Sequence, residues 1–113
     1  MSHILLIEDE RDVRFMVEHT LLNAGHEVDA AATLADGRSL LDSAEYDLVI
    51  ADVKLPDGLG IDLANQATDR GIRALIMTGY AFSLPAERLK GYDVLLKPLR
   101  PIEIIQAVER GLA

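Results

Sequence analysis

Four short runs of the chain are apolar at every position, and each gives way to polar or charged residues. They are Ile4-Leu5-Leu6-Ile7 before Glu8-Asp9-Glu10, Leu48-Val49-Ile50-Ala51 before Asp52, Ala74-Leu75-Ile76-Met77 before Thr78, and Val94-Leu95-Leu96 before Lys97. Runs of this length without alternation suit strands buried on both faces. Between them the period changes. Val13, Met16, Val17, Thr20, Leu21 and Ala24 recur at three- and four-residue intervals up to Gly25, which predicts a helix closed by a glycine cap. Val28 and Ala30 alternate with Glu27 and Asp29, predicting a short edge strand with one wet face. Thr33-Leu34-Ala35-Asp36 reads as the capped start of a second helix carrying Leu34, Leu40 and Leu41. A loop with Pro56, Gly58 and Gly60 leads to a helix from Ile61 to Arg70, stopped by Gly71. Pro85 to Lys90 leaves room for a short helix only, and Pro101 opens a closing helix with the stripe Ile104, Ile105, Val108 and Leu112.

Strand and helix thus alternate five times. That order implies parallel pairing with right-handed crossovers, hence an α/β fold: a five-stranded parallel sheet with helices on both faces. The 113 residues carry no linker, repeat or low-complexity tract, so residues 1–113 read as one domain without an appended output module. Half of the residues are hydrophobic and only 4% aromatic, so the core is built from Leu, Ile, Val and Ala. The absence of Cys excludes disulfides, thiolate zinc sites and a Cys nucleophile. A net charge of -8 disfavours direct nucleic-acid binding, since phosphate backbones would be repelled. The first apolar run is too short for a signal peptide or a membrane span, which predicts a soluble, cytoplasmic chain.

In a sheet of this kind ligands bind beyond the carboxyl ends of the strands, where strand order reverses. Four of the five strands deliver chemistry there: Glu8 and Asp9, then Asp52, then Thr78, then Lys97 followed by Pro98. Each has an ordinary reading alone, as a helix cap, a turn residue or a solvated amine. Jointly they place acids, a hydroxyl and an amine on one end of successive strands. Three converging carboxylates repel one another, so either a pKa rises or a cation joins them, and a hard divalent cation such as Mg²⁺ fits oxygen ligands. With Lys97 opposite and Thr78 nearby, the pocket suits a phosphoryl group carried on a carboxylate. Asp52, on a central run and followed by a Gly-containing loop, is the nucleophile of choice.

With these motifs the chain resembles the receiver domain of two-component response regulators, the CheY-like superfamily with a (βα)5 flavodoxin-like doubly wound fold. The likeness rests on Glu8-Asp9, Asp52, Pro56 and Gly60 four and eight residues beyond it, Thr78, and Lys97-Pro98. The resemblance implies that Asp52 takes a phosphoryl group from a histidine kinase or histidine phosphotransfer protein, with Mg²⁺ required, and that output passes to a downstream protein target. It implies that Asp9 ligates the metal directly, Glu8 acts mainly through water, and Lys54 offers its backbone carbonyl. Thr78, Lys97 and the backbone N–H groups of Lys54 and Gly79 would contact the phosphoryl oxygens. It also implies a cis bond before Pro98, and that the Lys54 and Tyr80 side chains modulate attack of water on the acyl phosphate.

The chain departs from that pattern at Val94, where the family usually has the Tyr or Phe that turns inward with the Thr. Tyr92 and Tyr80 are the nearest rings. Met77-Thr78-Gly79-Tyr80 resembles a subgroup that lacks the aromatic, implying that phosphorylation orders residues 80–90 instead. His3, His19 and His26 show no metal spacing. A competing reading is a small Mg²⁺-dependent phosphohydrolase working through an aspartyl phosphate, although Lys54 stands where many such enzymes carry an acid/base Asp. A receiver fragment of a longer regulator is a further alternative. A flavodoxin-like cofactor binder would find its phosphate repelled by Glu8-Asp9-Glu10, and all five key positions of a working receiver are filled.

Overall fold

The computed structural model of the chain describes residues 2–79, 86–89 and 91–113. The order of elements is β1 (His3–Ile7), α1 (Arg11–Asn23), β2 (Glu27–Ala31), α2 (Leu34–Ser43), β3 (Leu48–Asp52), β4 (Lys54–Leu55), β5 (Gly58–Leu59), α3 (Gly60–Asp69), β6 (Arg73–Gly79), α4 (Ala86–Leu89), β7 (Asp93–Lys97) and α5 (Pro101–Leu112). Five strands form one parallel sheet in the order β2-β1-β3-β6-β7. The order reverses at β1, so the crevice between the ends of β1 and β3 is where a doubly wound sheet opens for a ligand.

Period-2 alternation along the buried strands divides the core in two. Ile4, Leu6, Leu48, Ile50, Leu75 and Met77 face α1 and α5, meeting Val17, Leu21, Ile104 and Val108. Leu5, Ile7, Val49 and Ala51 face the other way, onto Leu34, Leu41, Leu63 and Ala67 of α2 and α3. Every residue from Ile4 to Ile7 and from Leu48 to Ala51 is fully buried, which is why these segments carry no polar alternation. The last strand differs from its all-apolar reading. Leu95 is buried, but Val94 and Leu96 are 37% and 62% exposed, because β7 lies at the sheet edge and presents one face outward.

The segment after β3, expected to be a plain loop, contains a two-residue antiparallel ladder in which Lys54 pairs with Leu59 and Leu55 with Gly58. At its tip, Asp57 accepts hydrogen bonds from the backbone N–H groups of Leu34 (2.8 Å) and Ala35 (3.0 Å). Thr33 accepts from Asp36 N at 3.1 Å, so two side chains serve the start of α2 and one of them comes from a different loop. These bonds hold the Asp57 carboxyl below its ordinary value. Far from the crevice, His3 lies 2.8 Å from Asp29, which also accepts from the Tyr46 hydroxyl at 2.7 Å, tying the start of β1 to β2. That contact accounts for His3 structurally. No helix among the described residues is long and apolar enough to cross a membrane.

Helix α3 starts hard against the end of β3. Gly60 N donates to Val53 O at 2.8 Å, and a β-carbon at Gly60 would sit 1.8 Å from the carbonyl oxygen of Asp52. Backbone cannot yield by that amount. Gly60→Ala is expected to lower the urea midpoint despite the roughly 1 kcal/mol by which helices favour Ala over Gly, since overpacking of this severity costs about 3 kcal/mol. Asp57→Ala is expected to destabilise as well. A depressed carboxyl pKa contributes stability above its ordinary range and loses it as pH falls, so the gap between variant and parent should close below about pH 4, as read by urea melts across pH.

Candidate functional site

The end of β1 turns into α1 through Glu8-Asp9-Glu10, and this turn is held from several sides. Glu8 N donates to Ala31 O at 3.0 Å, and Arg14 donates from its guanidinium to the carbonyls of Glu8 (2.9 Å) and Asp9 (3.4 Å). Glu8 Oε2 accepts from Glu10 N at 3.0 Å, which steadies the turn ahead of α1 without capping the helix itself. The other oxygen points into the crevice. Glu8 is fully buried and Asp52 is 8% exposed, whereas Asp9 is open to solvent. One carboxylate oxygen from each of Glu8, Asp9 and Asp52 lies within 4.8 Å of the other two.

Lys97, at the end of β7, reaches across to this cluster. Its Nζ donates to Asp52 Oδ2 at 3.0 Å and stands 2.5 Å from Glu8 Oε1. The second contact is an ion pair off the hydrogen-bond direction, which leaves Glu8 Oε1 buried with no hydrogen-bond partner among the described residues. The Lys97-Pro98 peptide bond is cis. Thr78 lies one residue past Met77, the register partner of Asp52, and its buried hydroxyl donates to Gly79 O at 3.2 Å. Gly79 pairs in register with Lys97.

Burial pushes the Glu8 carboxyl up to about 7, against the opposing pull of Lys97 and of the Glu10 amide, with the neighbouring Asp52 charge adding to the rise. For Lys97, burial works against the ammonium, but its contacts with Glu8 and Asp52 outweigh that and hold it above the ordinary lysine value. The site therefore gathers three carboxylates, two of them buried, around one amine that contacts Glu8 and Asp52. Such a donor set suits a hard divalent cation that keeps some of its water.

The structure thus brings Glu8, Asp9, Asp52 and Lys97 together, with Thr78 and Gly79 at the adjacent strand end. Lys54 sits in β4 just past Asp52 with its side chain exposed. Val94 is three residues before Lys97 in the edge strand β7 and is partly exposed. Tyr80 lies outside the described residues, as does most of the segment 80–90 whose ordering the sequence suggested. Arg14 and Asp57 escaped the sequence reading. Arg14 is one more charge on an amphipathic helix, and Asp57 follows a loop proline, so neither breaks a periodicity.

The chain matches the family model for the response regulator receiver domain over residues 4–109. It belongs to that family. The receiver domain is 30% identical to the regulatory protein VanR of Enterococcus faecium over 96% of its own length and 49% of VanR, so it spans about half of that relative. It is 28% identical to the response regulator receiver protein CpdR of Brucella abortus over 99% of this chain and 98% of CpdR. Among solved structures it superposes on the chemotaxis response regulator CheY4 of Vibrio cholerae with a TM-score of 0.83 at 27% identity, covering 99% of both chains. A CheY-like receiver from Methanospirillum hungatei gives 0.90 at 26% identity, covering 99% and 94%. The five-stranded parallel sheet with its five helices is therefore the CheY-like, flavodoxin-like receiver fold, and the chain is a signalling module of two-component systems.

The raised Glu8 value carries a pH signature. A group whose folded pKa exceeds its unfolded value contributes stability at low pH that is lost as pH rises through the folded pKa. The metal-free receiver should therefore have a higher urea midpoint at pH 5.5 than at pH 8, about the window between the ordinary carboxylate value and that of Glu8. Glu8→Gln should flatten that slope. A slope identical in the variant would show that another group titrates.

Proposed function

We propose that this receiver domain accepts a phosphoryl group on Asp52 from a histidine kinase or histidine phosphotransfer protein, and that its modified surface binds a downstream protein target. The observation that carries this reading is the Asp52 carboxylate at a strand end, 3.0 Å from the Lys97 amine and within 4.8 Å of two further carboxylates. An aspartate so placed is a nucleophile flanked by groups that can neutralise charge on the transferring oxygens. Glu8, Asp9, Asp52 and the backbone carbonyl of Lys54 would hold Mg²⁺, which when bound screens the mutual repulsion of the acids and of the incoming phosphate.

In the transfer, an oxygen of Asp52 forms a bond to phosphorus as the P–N bond of the donor phosphohistidine breaks. The bonding pair stays on the imidazole nitrogen. Lys97 pairs with a phosphoryl oxygen in place of the Asp52 oxygen it now holds, and the Thr78 hydroxyl exchanges its contact with Gly79 O for another phosphoryl oxygen. The N–H groups of Lys54 and Gly79 complete the set of donors. Burial of Glu8 and Asp52 strengthens each of these interactions by keeping bulk water out. The Lys54 and Tyr80 side chains would then govern how fast water removes the group. The acidic surface and the absence of a membrane-crossing helix in the described residues suit a chain that works in the cytoplasm by protein contact.

Incubation with acetyl phosphate and Mg²⁺ should add the mass of one phosphoryl group to the intact chain, and chelation of the metal should abolish the gain. Asp52→Asn should remain unmodified. A gain that persists in that variant would overturn Asp52 as the acceptor, and sustained turnover of a phosphate ester by the parent would point to a phosphohydrolase instead.

A further inference from the structure

With Val94 at the position of the usual aromatic switch, the state of Asp52 needs another route to α4 and the start of β7. Helix α3 supplies one. Its first residue, Gly60, is pressed against the Asp52 carbonyl with no room for a β-carbon and is bonded through its N–H to Val53 O at 2.8 Å. Val53 N donates in turn to Met77 O at 2.9 Å. The backbone of Asp52 and Val53 and the first turn of α3 consequently move as one body.

The outer face of α3 carries two polar side chains one turn apart, Asp62 and Asn65, and both are engaged by the segment leading into β7. Arg88 of α4 donates to Asp62 Oδ1 at 3.1 Å, and the Tyr92 hydroxyl donates to Asn65 Oδ1 at 2.5 Å. Beneath this pair of bonds, Leu89 and Tyr92 pack on a dry cluster of Val53, Ile61, Ala64 and Ile76. Val53, the neighbour of the acceptor, is thus in the same apolar cluster as the ring of Tyr92. The contacts form one contiguous set from the neighbour of Asp52 to the start of β7, the kind of packed network that can couple sites.

We propose that Asp62, Asn65, Arg88 and Tyr92 form a clasp through which α3 reports the state of Asp52 to α4 and the start of β7, in place of a rotating ring at Val94. This rests on the reading of Asp52 as the phosphoacceptor. The closed clasp occurs together with the Lys97–Asp52 pair. In the proposed coupling, modification of Asp52, which draws Lys97 onto a phosphoryl oxygen, opens it. Coupling between sites is reciprocal, so opening the clasp by mutation must favour the modified state.

The test is the affinity of the Mg²⁺-loaded chain for beryllofluoride, a phosphoryl analogue, read by titration of backbone NMR signals at Val53 and Gly79. Tyr92→Phe and Arg88→Gln should each bind the analogue more tightly than the parent, by about 2- to 30-fold, the range that packed networks transmit. Asn65→Ala provides a third variant that removes the Tyr92 partner without touching the ring. Arg70→Gln, which breaks the unrelated contact of Arg70 with Asp42, should leave the affinity unchanged. In the parent, the signals of Leu89 and Tyr92 should move with the same titration curve as Val53. Unchanged or weaker analogue binding in the clasp variants, or static Leu89 and Tyr92 signals, would overturn the clasp while leaving phosphorylation of Asp52 intact. If the parent neither binds the analogue nor gains mass with acetyl phosphate, the phosphoacceptor reading fails and the clasp falls with it.

Discussion

Like charges held within a few ångströms of one another are the constraint around which this molecule is arranged. Glu8 and Asp52 leave adjacent parallel strands in register, and nothing in the backbone keeps their carboxylates apart. Lys97, from the opposite edge of the sheet, is the counter-charge that makes the cluster tolerable, and burial raises the strength of every term in that balance. The two-layer core exists to hold the ends of β1, β3, β6 and β7 level. A slip of one residue in any strand would move a carboxylate, a hydroxyl or an amine to the other face of the sheet.

Much of this was legible in the sequence because the physics that builds parallel sheets is coarse. Strands buried on both faces must be apolar throughout, so Ile4 to Ile7 and Leu48 to Ala51 announce themselves, and the polar residues at their carboxyl ends are the chemistry. The acid cluster and the amine could be picked out by that rule alone. Their distances could not, since the direction in which Lys97 reaches depends on its strand's place in the sheet order. Likewise the exposure of Val94 and Leu96 comes from β7 being at an edge, which no local pattern in Val94-Leu95-Leu96 encodes. Gly60 was visible as a loop glycine, but its reason, contact with the Asp52 carbonyl, is tertiary.

The residues that sequence reasoning passed over share a feature: they act on backbone groups. Arg14 steadies two carbonyls of the Glu8-Asp9 turn, and Asp57 takes up the first N–H groups of α2. Side chains that serve main-chain partners in another element leave no periodic trace. Their effect on function is positional, since they fix the two loops whose carboxylates face each other across the crevice.

Asp57 has a further consequence, in how the acids of the segment after β3 divide their work. It stands five residues beyond Asp52 at the tip of the β4–β5 hairpin, and both of its oxygens are occupied by the first N–H groups of α2. The clustered carboxylates at the strand ends are Glu8, Asp9 and Asp52. The hairpin tip thus acts as a quarantine for one acid, turning a carboxylate close in sequence to the cluster into a strut between two elements.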